Sequence, residues 1–310
     1  MNIVFMGTPE FSVPSLKKII KKHNVIAVVT QPDRPKGRGK KLSMSPVKVE
    51  GLIHNIPIYQ PEKLKGNDDI IQILKSLHPD FIVVVAFGQI LPEEVINIPK
   101  YGCINLHASL LPKYRGAAPI SWAIINGETE TGNTTMFMDK GLDTGDILLK
   151  SSVKITDDMN AAMLEEILSE QGGDLLLGTI KGVANSGIKR IKQGEMPTQY
   201  AKMLSKEVSE IDWNQSSTNI CNLIRGLNPR PVAFTKINGQ VMKIYNAVEV
   251  KEKTSFEPGF VAQVSKDGIK VATVDGSILI KVVQFAGGKA LKVEEYIKGH
   301  TINDAIVLGK

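Results

Sequence analysis

Asn105, His107 and Asp143 are the residues of this chain whose types and spacing could carry out chemistry. The first two stand in Asn105-Leu-His-Ala-Ser-Leu-Leu-Pro112, directly after the apolar run Gly102-Cys-Ile. If that run is a strand, alternate side chains share a face, so the amide and the imidazole emerge side by side. Asp143 lies in Asp139-Lys-Gly-Leu-Asp-Thr-Gly-Asp146, a glycine-punctuated loop that could reach the imidazole. Taken singly, each residue has an ordinary explanation: turn former, strand-end histidine, or cap for backbone donors. Together they suit acyl transfer to an amine. The tetrahedral species formed when an amine attacks an acyl carbon carries an oxyanion and an ammonium. A side-chain amide aimed at the oxyanion contributes roughly 10²–10³-fold. A positioned imidazole, whose ordinary pKa lies near ~6.5, can move the ammonium proton, for roughly 10²–10⁴-fold more. A carboxylate beside the ring fixes its tautomer and favours the transient imidazolium. The amine is itself the nucleophile, so no covalent enzyme intermediate is required.

The surrounding pattern predicts a scaffold able to hold these groups. Strands are expected at 2–6, 25–30, 57–60, 81–86, 103–107 and 134–138, with helices at 13–22, 46–54, 68–77 and 118–125 between them. Short β-branched runs alternating with helices imply an α/β fold, a doubly wound and mostly parallel Rossmann-like sheet with helices on both faces. Ligands bind such sheets at the carboxyl ends of strands, where His107 is expected. A helical pattern over 160–183, interrupted at Gly172-Gly173, closes this part. Residues 188–206 are polar and basic without periodicity, as in a linker. Beyond them a helix at 217–225 precedes strands at 232–237, 241–250, 259–264, 268–273 and 278–285. The hairpin signals Asn238-Gly, Asp267-Gly and Asp275-Gly separate these strands and suggest a small OB-like β-barrel. The division expected is 1–188 for a catalytic domain, 189–206 for a basic linker and 207–310 for the barrel.

Composition narrows the classes. The 310 residues, 42% hydrophobic and 23% charged, suit a soluble two-domain protein. Cys103 and Cys221 form no Cys-x-x-Cys pair, and the five histidines lack zinc-site spacing, so no metal is expected. No apolar run is long enough to span a bilayer, and the chain opens on a strand without a signal-peptide pattern; a cytoplasmic location is expected. The first turn, Gly7-Thr-Pro-Glu10, lacks the dinucleotide fingerprint, and Gly39-Lys40 is not set in a P-loop. The net charge of +6 permits a polyanionic partner. The positive charge concentrates in two places: Arg34, Lys36, Arg38, Lys40 and Lys41 in one loop, and Lys189, Arg190, Lys192, Lys202 and Lys206 around the linker.

With those residues in view, the chain resembles the methionyl-tRNA formyltransferase family nearly end to end. Asn105 and His107 followed by Ser109-Leu-Leu-Pro112, and the loop built on Asp139, Gly141, Asp143 and Gly145, match motifs shared by transferases that use formyltetrahydrofolate. Gly7-Thr-Pro-Glu-Phe11, the basic loop after Thr30, Arg115-Gly-Ala-Ala-Pro119, Ile211-Asp-Trp213 and the extra barrel match the tRNA-specific branch. The resemblance implies formyl transfer from 10-formyltetrahydrofolate to methionyl initiator tRNA by a monomer, giving formylmethionyl-tRNA for translation initiation. It gives Asn105, His107 and Asp143 the catalytic roles. It assigns the folate pocket to Ser109, Leu110, Leu111 and Pro112, walled by Phe87, Gly88, Gln89, Ile90, Leu91, Asp139 and Gly141. Gly88 and Gly141 would let backbone approach a flat ring, and Phe87, Leu91 and Leu111 would offer apolar faces. The tRNA would be held by Arg34, Lys36, Arg38, Lys40, Lys41 and the barrel, Arg38 foremost. Arg230 stands where the family often has an aromatic. The same chemistry on an amino-sugar nucleotide or glycinamide ribonucleotide, hydrolysis of the formyl donor, and a non-catalytic RNA-binding protein are the competing readings; a basic loop, a barrel and an intact Asn/His/Asp set count against them.

Overall fold

The computed structural model describes residues 1–36 and 41–309, apart from the side chains of Lys36 and Lys41. Arg38 and Lys40, and the side chains of Lys36 and Lys41, all singled out in the basic loop, therefore lie outside the described residues. The chain divides into two compact units. One comprises Met1–Gly116, Glu130–Lys154 and Glu165–Ala201; the other comprises Ala117–Thr129, Ile155–Leu164 and Lys202–Lys310.

The first unit is built on strands β1 (Asn2–Gly7), β2 (Asn24–Val29), a short hairpin β3–β4 (Arg34–Lys36 and Lys41–Ser43), β5 (Ile58–Tyr59), β6 (Phe81–Val85), β7 (Cys103–His107), β8 (Glu130–Phe137) and β9 (Ile147–Lys154). Among the described residues they form a seven-stranded sheet in the order β5-β2-β1-β6-β7-β8-β9, with β3–β4 apart. Pairings from β5 through β7 are parallel, and β8 and β9 complete the sheet antiparallel. The expected doubly wound sheet is therefore present, and its strand order reverses between β1 and β6. Parallel strands covered on both faces are largely apolar; all five residues of β6 and of β7 are buried, the polar Asn105 and His107 of β7 included.

Helices α1 (Val13–Ile20), α2 (Pro46–Ile53), α3 (Asp68–Ser76) and α4 (Glu93–Ile96) alternate with these strands. Their starts are written in the sequence. Ser45 accepts from the Lys48 N–H at 3.0 Å ahead of Pro46, and Asn67 accepts from Ile70 N–H ahead of Asp68 and Asp69. Strand β9 has no counterpart in the sequence expectation. Its burial alternates because it is the sheet's edge, and Lys150, Ser151 and Ser152 mask its apolar signal.

The second unit holds α5 (Pro119–Ile125), α7 (Ser217–Gly226), α8 (Val293–Tyr296) and strands β10 (Ala233–Ile237), β11 (Gln240–Val250), β12 (Val261–Ser265), β13 (Gly268–Ala272), β14 (Ser277–Phe285) and β15 (Leu291–Lys292). Helix α6 (Ala161–Ala184) begins in this unit and continues in the first. The strands pair antiparallel in the order β10-β11-β14-β13-β12, with β15 on β14. Asn238 and Gly239, at φ 50° and 74°, make the hairpin turn that an Asn-Gly pair favours. The stretch 305–309 bonds Val261 and Gly259 beside one sheet edge and Lys236 on the other, so both edge strands are engaged. Trp213, Ile220, Ile224, Ile244 and Val271 contribute to one buried core. Arg230 is exposed in the turn before β10. No helix of the described residues is long and apolar enough to cross a membrane.

Candidate active site

Asn105 and His107 share one face of β7, as strand alternation requires. Leu106 points the other way, into α6, where a Cβ at Gly172 would collide with its side chain. The sequence expectation of a break at Gly172-Gly173 is thereby corrected. The helix runs unbroken, and the two glycines permit its close approach to β7 and to Ser15 and Lys18 of α1. This packing fixes which side of β7 carries the polar pair.

The two side chains differ in how they are held. The Asn105 residue is 9% exposed, and its side-chain amide has no hydrogen-bond partner among the described residues. It is free to donate to an oxygen brought alongside. The imidazole is anchored, with His107 Nε2 2.9 Å from the carbonyl oxygen of Tyr114. A carbonyl only accepts, so Nε2 carries the hydrogen and Nδ1 is the ring's basic atom in the neutral form. Nδ1 faces Asp143 Oδ2 at 3.7 Å, too long for a direct hydrogen bond and short enough for ion pairing once Nδ1 is protonated. The Asp143 side chain is 13% exposed, neither turned to bulk solvent nor sealed away.

The loop carrying Asp143 owes its shape to specific contacts. Asp143 has φ 53°, a left-handed conformation that aspartate tolerates. Its Oδ2 accepts from the Gly116 N–H at 2.9 Å. Asp139 is turned to the loop itself, where Oδ1 accepts from Gly141 N–H at 3.0 Å and from the Thr144 hydroxyl at 2.7 Å. A side chain at Gly145 would strike the Phe137 carbonyl, so only glycine lets the loop pass over the end of β8.

Ser109 to Pro112 directly follow β7. The Ser109 hydroxyl donates to Lys113 O at 2.6 Å, while Thr134 Oγ1 donates to Ser109 O and accepts from Leu111 N–H. Leu111 is fully buried with Met136 and Ile147. The loop after β6 is tied to the ends of β1 and β2: Thr8 and Gln31 both donate to Phe87 O. Phe87 and Leu91 belong to the core, and Gln89 is spent on Leu64 N–H and the carbonyls of Pro61 and Glu62. The expected apolar faces of Phe87, Leu91 and Leu111 are therefore turned inward. The apolar side chains exposed nearby are Ile90 of the loop after β6, at 80%, and Leu142 of the Asp143 loop, at 53%. Lys140 pairs with Glu93 at 2.9 Å and so joins the Asp143 loop to the start of α4. Gly88, at φ 86°, leaves its neighbourhood open: a Cβ there would meet no heavy atom nearer than Gln31 Nε2, 3.7 Å away. In the basic loop, Arg34 pairs with Glu62 at 3.0 Å.

Several residues that shape the site escaped the sequence reading. Thr134 and Lys150, which bonds Leu111 O, lie in strands and carry no local signal. The stretch read as a linker is not a free tether. Ile191 pairs with Ile147, the Arg190 guanidinium lies 4.1 Å over the Phe137 ring, Thr198 accepts from Tyr114 N–H, and Ala201 N–H donates to Arg115 O. Among the described residues no cluster of three or more His, Cys, Asp or Glu could hold a metal ion.

Comparison with known proteins gives a consistent result. A family described as "Formyl transferase" matches residues 1–180, and "Formyl transferase, C-terminal domain" matches residues 203–301. A methionyl-tRNA formyltransferase of Clostridium beijerinckii is 59% identical over 308 residues, covering 99% of this chain and all of that protein. One from Clostridium botulinum is 56% identical over 310 residues, the whole of both. Among solved structures, WlaRD, a sugar 3N-formyl transferase determined with dTDP and 5-N-formyl-THF, superposes with a TM-score of 0.67 at 23% identity. It spans 93% of this chain and 99% of its own. At that identity the likeness speaks to the fold alone.

Proposed function

The chain belongs to the methionyl-tRNA formyltransferase family, and on that premise we propose that it formylates the amino group of methionyl initiator tRNA, yielding formylmethionyl-tRNA for translation initiation. The donor, 10-formyltetrahydrofolate, supplies the formyl group. The observation that carries the chemistry is the meeting of an unengaged Asn105 amide with an imidazole whose Nδ1 faces Asp143. Asn105 donates to the oxygen of the acyl carbon as negative charge builds there. His107 takes the ammonium proton on Nδ1 and returns it to the leaving nitrogen, so protons balance and the enzyme ends as it began. Asp143 stabilises the imidazolium between those two transfers.

The residues around the site fit a flat, partly apolar donor. Ser109, Leu110, Leu111 and Pro112 supply a rigid turn beside the catalytic pair. Open backbone at Gly88 and the exposed Ile90 supply approach, and Asp139 with Gly141 sets the facing loop. Phe87, Gln89 and Leu91 act from behind, by holding that backbone in place. Arg34, Lys36, Arg38, Lys40 and Lys41 hold the acceptor end of the tRNA, and residues 207–310 grip more of it. Contacts of this kind go to phosphates, giving affinity and orientation. The protein acts as a cytoplasmic monomer.

Purified protein given 10-formyltetrahydrofolate should formylate methionyl initiator tRNA in preference to an amino-sugar nucleotide or glycinamide ribonucleotide. Transfer to one of the small acceptors and not to the tRNA would overturn the reading. Arg38→Ala should raise KM for the tRNA and reduce the salt slope of log(kcat/KM) by about one unit, the share of one phosphate contact. An unchanged slope across a salt series would count against that role.

A further inference from the structure

We infer that Gln193 is a positioning residue that holds the Asp143 carboxylate in place opposite His107. Its amide nitrogen donates to two carbonyls of the Asp143 loop, Asp143 O at 2.9 Å and Gly145 O at 2.8 Å. Its amide oxygen accepts from Arg115 Nε at 3.0 Å and Nη2 at 2.8 Å, and that guanidinium also donates to Gly194 O. Arg115 stands between the two residues that grip the catalytic pair. The Tyr114 carbonyl holds His107 Nε2, and the Gly116 N–H holds Asp143 Oδ2. One side chain thus ties the loop that brings the carboxylate to the tripeptide that fixes both partners.

The chemistry of the position is restrictive. Two carbonyls on one side require a donor, and a guanidinium on the other requires an acceptor; an amide meets both demands. A glutamate would set its charge against the carbonyls, and an asparagine is too short to span the same gap. The backbone at this point is fixed as well, through Ile191 N–H to Ile147 O at 3.0 Å and its reciprocal at 2.8 Å. Arg115 is only 9% exposed and has no carboxylate partner among the described residues, so its buried hydrogen-bonding capacity is directed to this task.

Losing Gln193 should let the loop move and lengthen the Nδ1–Asp143 separation. The ionisable residues near the ring are Asp143 itself and, in the segment after β7, Lys113, Tyr114 and Arg115, while Lys150 of β9 is bonded to Leu111 O. Flanking β6 and the paired part of β8 bring Val84, Val85 and residues 134–136 alongside, none of them ionisable. Asp143 is the carboxylate among these groups, so its retreat should make the imidazolium less favourable.

The test is the NMR titration of the His107 ring in the full-length protein, wild type against Gln193→Met and Gln193→Asn. Methionine preserves the packing beside Met136, whose Sδ lies 3.7 Å from the amide nitrogen; asparagine preserves the chemistry at shorter reach. Both variants should remain folded with the His107 midpoint displaced downward from that of the wild type. Both should formylate methionyl-tRNA roughly tenfold more slowly in kcat with KM unchanged. The kinetic arm rests on the proposed function, whereas the ring titration does not. Inactive wild-type protein would therefore defeat that function alone, leaving the titration to decide the role of Gln193. An unchanged midpoint in either folded variant would overturn it.

Discussion

Replacing His107 with alanine is expected to lower kcat by roughly 10²–10⁴-fold while leaving the affinity for methionyl-tRNA intact. The ring stands at the end of β7 with its Nε2–H committed to Tyr114, so Nδ1 is the nitrogen left to exchange a proton. Removing it strands the ammonium proton with no acceptor. The substitution also removes the Nε2–H···O contact to the Tyr114 carbonyl and so lowers stability. Thermal unfolding of the variant therefore belongs beside single-turnover kinetics, so that a loss of folded protein is not read as a loss of chemistry. Near-normal turnover by folded protein would remove His107 from the mechanism.

Asn105→Ala should cost roughly 10²–10³ in kcat, the value of one preorganised donor to a developing oxyanion. Here the expected stability change is small, because the amide bonds nothing in the described residues and its removal orphans no partner. That contrast with His107 separates the two roles. An interaction made only in the transition state lowers kcat and kcat/KM together and spares substrate binding. A variant with a raised KM and unchanged kcat would make Asn105 a binding residue.

Much of this site is legible in the sequence because it hangs on one strand. Residues 103–107 are apolar enough to be read as a buried strand, and the structure gives β7 the same bounds. Alternation alone then puts Asn105 and His107 together. The second unit is legible for a similar reason, since Asn-Gly and Asp-Gly pairs punctuate its strands and the turns follow. What could not be read is whatever depends on distant segments. Gln193 lies in a polar, aperiodic stretch that gives no sign of meeting Asp143 and Arg115. Phe87, Leu91 and Leu111 look like pocket walls because apolar residues beside a site suit either role; all three are buried among core residues. Gly172-Gly173 reads as a break by propensity, yet close packing on Leu106 and α1 outweighs the roughly 1 kcal/mol that each glycine costs a helix. Edge strand β9 was hidden by its own alternation with lysine and serine.

His107 and Asp143 are proposed to act as one proton-handling unit, and a double-mutant cycle distinguishes this from two independent contributions. Single-turnover formylation of methionyl-tRNA would be measured for wild type, His107→Ala, Asp143→Asn and the double variant. If Asp143 acts only through the ring, the double variant will be no slower than His107→Ala. Losses that multiply would rule out such a unit, because the carboxylate would then be contributing without the imidazole.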